Sequence, residues 1–330
     1  MKVKWHGKLS TERKLKGGGP QGSSFGLWEY LSQSNDNANC VEVKNHFKFV
    51  DDLSFLEIIF LLSIGLSSYN IKAHVPSDIP THNQIISNSN LKSQDQLEKI
   101  HQWTKDRKMK LNLEKTKSMI FNFSKKNQFT TNLKVMNTDI EMVKEATLLG
   151  VVITDQLTWD RNTAELTKKG FKRMQLLNAA ATFTKNKNDL KNIYLTHVRS
   201  VIEQSAVVWP SSLTVRNKID LERIQKAAVR VIMGKSYQNY LHGLKELRLE
   251  TLEKRRENLC LRFAKKCLKN EKMKNLFPTR KIHHKMKTRN KEKFQTEKIR
   301  TNRLKKAAIP YMTKLLNDEE TKKGQILKKL

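Results

Sequence analysis

Phe49-Val50-Asp51-Asp52 lies between two β-favouring runs, Val41 to Val50 and Leu53 to Ile59, and decides how the rest of the chain is read. Two such runs separated by Asp51-Asp52 predict a hairpin with a pair of carboxylates at its tip. Along a regular strand, neighbouring side chains point to opposite faces. At a tip that alternation is broken, so both carboxylates can approach one divalent cation, whose charge cancels their repulsion. Mg²⁺ is the natural candidate, because it takes oxygen ligands and is commonly held by one or two carboxylates together with substrate phosphates. An isolated Asp-Asp pair is more often a solvated turn, so its surroundings carry the argument.

Upstream, Gly17-Gly-Gly-Pro-Gln-Gly-Ser-Ser24 is the one dense glycine cluster, the composition that lets a backbone turn sharply or approach a ligand closely. Phe25, Trp28 and Leu31 then recur about one helical turn apart and predict a short helix over 25–33. Downstream, Pro76 and Pro80 sit in a polar linker, 90–109 reads as a helix, and 118–124 and 147–154 read as short strands. Beyond Asp160 the apolar period becomes helical. One stripe runs through Leu190, Ile193, Tyr194, Val198, Val201 and Ile202, a second through Leu221, Ile224, Ala228, Val231 and Ile232 up to Gly234, and a third through Leu252, Leu259, Phe263 and Cys267.

These pieces, in this order, resemble the palm motifs of reverse transcriptases of non-LTR (LINE-type) retrotransposons. The resemblance is carried by Gly18-Gly-Pro-Gln-Gly-Ser23, Phe49-Val50-Asp51-Asp52, Trp103 and Met109-Lys-Leu-Asn-Leu-Glu-Lys-Thr-Lys-Ser-Met119. Leu148-Leu149-Gly150 with Asp155 and Trp159 continues it. Tyr194, Val198-Arg-Ser200, Val208-Trp209, Leu221-Glu-Arg-Ile-Gln-Lys226 and Leu252-Glu-Lys-Arg-Arg256 are similar to the segment downstream of that family's polymerase core. The resemblance implies an α+β fold: a partial polymerase palm, with an antiparallel sheet, the Asp-Asp hairpin and packed helices, followed by an all-α thumb-like and basic helical region. It implies an organisation of 1–16 as an N-terminal segment, 17–154 as palm, 155–270 as thumb and downstream helices, and 271–330 as a basic tail. It further implies RNA-directed DNA polymerase chemistry on an RNA template and a DNA primer or target. Asp51 and Asp52 would be catalytic carboxylates holding Mg²⁺. Gln21 and Gly22 would lie beside template and incoming nucleotide, Lys115 near the triphosphate, and Leu149 and Gly150 in the element that grips the primer end. On pattern alone, Lys115 and Lys117 read equally as a solvated edge.

The sequence departs from the family in its first stretch. Relatives carry a further palm aspartate on a strand before the glycine turn, whereas the sixteen residues before Gly17 hold one acidic residue, Glu12. The fingers and an endonuclease domain are likewise expected to be missing.

Charge gives a reading that needs no resemblance. The 330 residues carry 64 Lys and Arg against 32 Asp and Glu, a net +32, and residues 251–330 alone hold 26 against 8. Such a field attracts polyanions, so the alternative reading is a non-catalytic basic protein that binds RNA or DNA, with the stretch from Lys265 to Lys306 as its polyanion surface or as a disordered basic end. The most apolar run, Leu53 to Leu66, is shorter than the ~20 residues of a membrane-spanning helix and contains Glu57. Cys40, Cys260 and Cys267 form no Cys-x-x-Cys, and together with the absence of a signal-like leader they read as an intracellular, reduced protein. Cys260, Cys267, His283 and His284 match no zinc-knuckle spacing, so packing is the expected role of the two thiols.

Removing one member of a catalytic unit costs nearly as much as removing the unit. The purified 330-residue chain is therefore expected to extend a primer on an RNA template with Mg²⁺ no better than its Asp51→Asn variant; extension above that control refutes the expectation.

Overall fold

The computed structural model of the chain describes residues 4, 5, 8, 9, 46–49, 52–55, 82–106, 111–123, 130–279, 294–296 and 301–326, with side chains described within 91–322. These fall into two compact units, Met1–Val143 and Lys144–Leu330.

The N-terminal unit holds short strands and one long helix. β1 (Lys4–Trp5) pairs with β2 (Lys8–Leu9), and β3 (His46–Phe49) pairs antiparallel with β4 (Asp52–Phe55). The expected hairpin is present, with strands shorter than the apolar runs. α1 spans His82–Asp106, eight residues earlier than its predicted start. After it come β5 (Lys117–Ser118), β6 (Lys134–Val135), β7 (Thr138–Asp139) and β8 (Glu141–Met142). β6 and β7 form a hairpin turning through Met136 and Asn137, both at positive φ, the backbone a two-residue type I′ connection requires. Gln94 on α1 takes the place of a strand partner: its Nε2 donates to the Lys134 carbonyl at 2.8 Å and its Oε1 accepts from the Lys134 N–H at 2.9 Å. Around this clasp Leu97, Leu133, Val135 and Ile140 form a small buried cluster.

The C-terminal unit starts with a hairpin, β9 (Glu145–Leu148) and β10 (Val151–Thr154). The expected single strand over 147–154 is thus folded in two, because Leu149 at φ 49° and Gly150 at φ 80° reverse the chain between them. Across the described residues the strands form five separate pairs, four antiparallel and one, β5 with β8, parallel. The continuous antiparallel sheet expected from the sequence is absent among them, since strands of two to four residues offer too few ladder positions to recruit further neighbours.

Helices make up the rest. α2 spans Asp160–Phe183 and α3 Lys187–Ile193. The latter runs through a π-helical stretch, Tyr194–Arg199, into α4 (Ser200–Ile202). The sequence explains the widened turn. Leu190, Tyr194, Val198 and Ile202, the four residues that this segment buries most deeply, recur at intervals of four, and an ideal α-helix would rotate such a row by about 40° per step. Widening the helix keeps all four on the core side. α5 (Val215–Met233), α6 (Tyr240–Glu246) and α7 (Leu252–Leu268) follow. Their first turns are closed by Thr214, Asn239 and Thr251, whose side-chain oxygens accept from Asn217, His242 and Lys254 N–H groups. Gly234, at φ 51°, ends α5 as its predicted cap.

α2 lies close against α5. A Cβ on Gly170 would stand 2.7 Å from Ile224 Cδ1 and 2.8 Å from Ile202 Cγ2, so the approach depends on the missing methyl. The core of this unit includes Leu166, Leu177, Tyr194, Trp209, Leu221, Ile224 and Leu252. Through it runs one polar chain. Gln225, fully buried, accepts from the Tyr194 hydroxyl at 2.7 Å and donates to the Tyr240 hydroxyl at 2.8 Å and to the Glu250 carbonyl at 2.9 Å. Tyr240 in turn donates to Glu222, whose carboxylate receives the Leu252 N–H that opens α7.

The C-terminal stretch, expected as a charged end, contributes packed structure. After α8 (Asn302–Lys305), α9 (Ala308–Ile326) buries Met312 and Leu316 with Cys260, Ala264 and Cys267 of α7 and with Phe277 and Phe294. Asn317 clasps the Phe294 backbone, accepting its N–H at 3.0 Å and donating to its carbonyl at 3.2 Å, while Thr279 bridges to Phe294. No helix among the described residues is long and apolar enough to cross a membrane.

An unpaired buried polar group costs ~1–3 kcal/mol, and a Gln side chain removed from a core leaves a cavity as well. Gln225→Ala is therefore expected to destabilise the chain by about 3 kcal/mol in chemical denaturation, with Tyr194→Phe costing less because it strands a single acceptor; a Gln225→Ala variant with unchanged midpoint contradicts the arrangement.

Candidate nucleic-acid interface

Each residue singled out from the sequence has a definite place or lies beyond description. Gln21, Gly22 and Asp51 lie outside the described residues. Asp52 is the first residue of β4 and pairs with Phe49, its side chain lying outside those described. Lys115, in the N-terminal unit, is exposed, and its N–H donates to Asn112 Oδ1 at 3.1 Å in a tight turn. Its neighbour Lys117 is ion-paired with Glu141 across the parallel β5–β8 pair. Leu149 and Gly150, in the C-terminal unit, form the tip of the β9–β10 hairpin.

That tip is held in place. Gln204 Nε2 donates to the Leu149 carbonyl at 3.3 Å, and a Cβ on Gly150 would stand 2.4 Å from the same nitrogen. Gly150 is thus fixed by its positive φ and by the side chain above it. Gln204 is itself anchored, since its carbonyl accepts from the buried Trp209 indole N–H at 3.1 Å. Leu148 and Leu149 remain 40% and 49% exposed, an apolar tip on a rigid support.

A concentrated cationic feature among the described residues lies on α2, where sequence reasoning did not place a site. From Leu166 to Asn188 the chain has six Lys and Arg and no Asp or Glu. Counting acids along α2 exposes this run, whereas the total charge directs attention to the C-terminus. Lys168, Lys169, Lys172 and Arg173 are all exposed and form no ion pair among the described residues. At 100° per residue, Lys169, Lys172, Arg173, Leu176 and Phe183 fall within about a third of the helix circumference, with Glu165 one turn before Lys169 on the same side and Lys168 at its edge. Leu176 is 45% exposed and Phe183 91%. One helix face therefore offers cations along its first half and apolar side chains along its second. The fully buried positions, Asn162, Thr163, Leu166, Gly170, Met174 and Leu177, form the adjoining stripe of the helix.

On α7 several cations are neutralised by ion pairs. Lys265 pairs with Glu319 at 2.6 Å, Lys254 with Glu257 at 3.0 Å, and Arg255 with Glu203 at 3.0 Å. Arg256 is buried; burial pulls its pKa down, while the carboxylates of Glu222, Glu253 and Glu203 oppose that shift. Cys260 and Cys267 fill the α7–α9 core, as packing predicts, and burial pushes the Cys260 thiol up to about 11 and raises that of Cys267. His283 and His284 lie outside the described residues. Trp159 and Trp209 are core residues as expected, Trp103 is half-buried on α1, and Trp28 lies outside the description.

No family model, curated protein or solved structure matches the chain.

A thiol that is buried and held protonated reacts slowly, because the thiolate is the nucleophile. Cys260 and Cys267 are expected to resist iodoacetamide at pH 8 in the native protein and to alkylate once it is unfolded in guanidinium; rapid native labelling, read by mass spectrometry, contradicts this packing.

Proposed function

We propose that the chain is the palm and thumb portion of a polymerase resembling the reverse transcriptases of non-LTR retrotransposons, and that its C-terminal unit grips a nucleic-acid duplex through α2. The observation that carries this reading is the acid-free run of α2 from Leu166 to Phe183, with Lys168, Lys169, Lys172 and Arg173 exposed in its first half and Leu176 and Phe183 in its second. Lysine and arginine at this density release counterions from a phosphate backbone, and that release supplies sequence-independent affinity. The apolar half suits the sugar and base edges that a helix meets on entering a groove. The β9–β10 tip, held by Gln204, supports the same reading, because a primer end needs a rigid element beneath it.

In this reading Asp51 and Asp52 belong to the metal-binding hairpin of the palm, with Mg²⁺ supplying the charge that phosphoryl transfer requires. Gln21, Gly22 and Lys115 belong to the nucleotide and template side. The bound strands are an RNA template and a DNA primer or target. Binding and chemistry are separable here, since the cations of α2 lie in a different unit from the aspartate hairpin. A chain that binds nucleic acid without catalysis uses the same α2 face.

The test is a salt titration of duplex binding by the full chain. Each phosphate contact contributes about 0.9 to the log–log slope. Lys168→Gln, Lys169→Gln, Lys172→Gln and Arg173→Gln combined are expected to flatten the slope by about 3 to 4 and to weaken binding by more than about tenfold at 0.15 M salt. Unchanged slope and affinity in a variant with wild-type circular dichroism overturn the proposal.

A further inference from the structure

A second cationic track runs along α5, and it differs in kind from the face of α2. Arg216, Ile219, Arg223, Lys226 and Arg230 are all exposed and succeed one another along one side of the helix, over about 21 Å at 1.5 Å per residue. Ile219 is 53% exposed, and Val215 beside Arg216 is 74% exposed, so apolar side chains lie among the cations of the first half. Asp220 is the acidic member of the row. It lies 4.0 Å from Arg216 and 3.5 Å from Arg223 and tempers the first half. The second half has no such partner: Lys226 and Arg230 form no ion pair among the described residues.

What holds those two cations is aromatic. The Arg230 guanidinium stands 5.6 Å from the ring centroid of Tyr237, and the Lys226 ammonium 5.5 Å from that of Tyr240. A cation over a ring face is attracted by the ring quadrupole and loses little hydration. The Tyr240 ring is fixed from below, because its hydroxyl belongs to the buried chain through Gln225 and Glu222. Lys226 is therefore placed over a fixed ring, and both cations remain exposed. At 5.6 Å the Arg230 guanidinium stands near the Tyr237 ring and remains exposed, so its planar face is open to another flat partner, and in nucleic acids such a partner is an unstacked base. Bases inside a duplex are already stacked and do not present that face.

We propose that the α5 row, Arg216, Arg223, Lys226 and Arg230 with Tyr237 beneath Arg230, is a binding track for single-stranded nucleic acid. The phosphates lie along the cations and one base stacks on the Arg230 guanidinium. This surface is distinct from the α2 face, and the proposal does not depend on the duplex reading.

The experiment compares the full chain with two variants, using fluorescence anisotropy on a 20-nucleotide single strand and on a duplex of the same sequence. Arg223→Gln, Lys226→Gln and Arg230→Gln combined remove three single-strand phosphate contacts worth about 0.7 each in salt slope. The slope for the single strand is expected to fall by about 2 and the affinity by more than about tenfold, with duplex affinity changed less than about threefold. Arg230→Lys keeps the charge and loses the plane. It is expected to weaken single-strand binding severalfold at unchanged slope and to abolish the quenching of a 2-aminopurine placed in the strand.

Unaltered single-strand binding by the triple variant overturns the proposal. So does an equal loss for strand and duplex, which makes the row part of one undivided field. Loss of binding to phosphatidylserine vesicles with oligonucleotide binding intact overturns it in favour of a lipid surface. If the four α2 substitutions leave duplex binding intact while the α5 triple variant loses the single strand, the duplex reading fails and this one stands.

Discussion

A single buried amide organises the C-terminal unit. Gln225 has one acceptor oxygen and two donor hydrogens, and all three are used: by the Tyr194 hydroxyl, the Tyr240 hydroxyl and the Glu250 carbonyl. These partners come from the π-helical stretch, from α6 and from the loop before α7, so one side chain on α5 registers three other segments. The chain extends through Tyr240 to Glu222 and on to the first N–H of α7. A polar group with no water to fall back on tolerates no misplacement, so a hydrophobic residue of similar size would leave these elements packed and unregistered. Burial drives the pKa values of Tyr194 and Tyr240 upward, which keeps both hydroxyls protonated and able to donate.

The exposed chemistry rests on that buried constraint. Lys226 and Arg230 occupy the solvent side of the helix whose inner side carries Gln225, and the ring under Lys226 is the one that Gln225 holds. Likewise, Gly170 lets α2 settle against Ile224 and Ile202, so the cations of α2 project from a helix whose position is set by the absence of a side chain. Surface charge here is organised by core geometry. Long flexible lysines alone would bind any polyanion; lysines and arginines on a registered framework can distinguish one nucleic-acid form from another.

How much of this could be read in the sequence depended on periodicity. Strong apolar stripes gave the helices: the stripe from Leu190 to Ile202 and the run from Leu221 to Gly234 both lie on helix, although the spacing of three and four did not foretell the π-helical widening over Tyr194–Arg199. The hairpin around Asp52 was legible because two apolar runs flank a polar pair. The β9–β10 hairpin was not, since Leu148-Leu149-Gly150 continues an apolar run and only the positive φ of Leu149 reveals the turn. α9 was hidden by its own composition, for its buried positions Met312, Thr313, Leu316 and Asn317 include two polar side chains that pattern counting discards. Of the candidate site, the cations of α2 and α5 lay in plain view but diluted by the charge of the whole. The role of Gln225 was not legible from periodicity, because a glutamine on an otherwise apolar face looks like a flaw in the stripe until its partners from three other segments are seen.

The Asn317 amide holds Phe294 by its backbone N–H and carbonyl together, and Thr279 bridges to the same residue. A residue gripped by its backbone keeps its position whatever ring it carries. The seal between α7 and α9 therefore tolerates exchange of Phe294 for another large apolar side chain better than exchange of Asn317, whose paired donor and acceptor no apolar residue can replace.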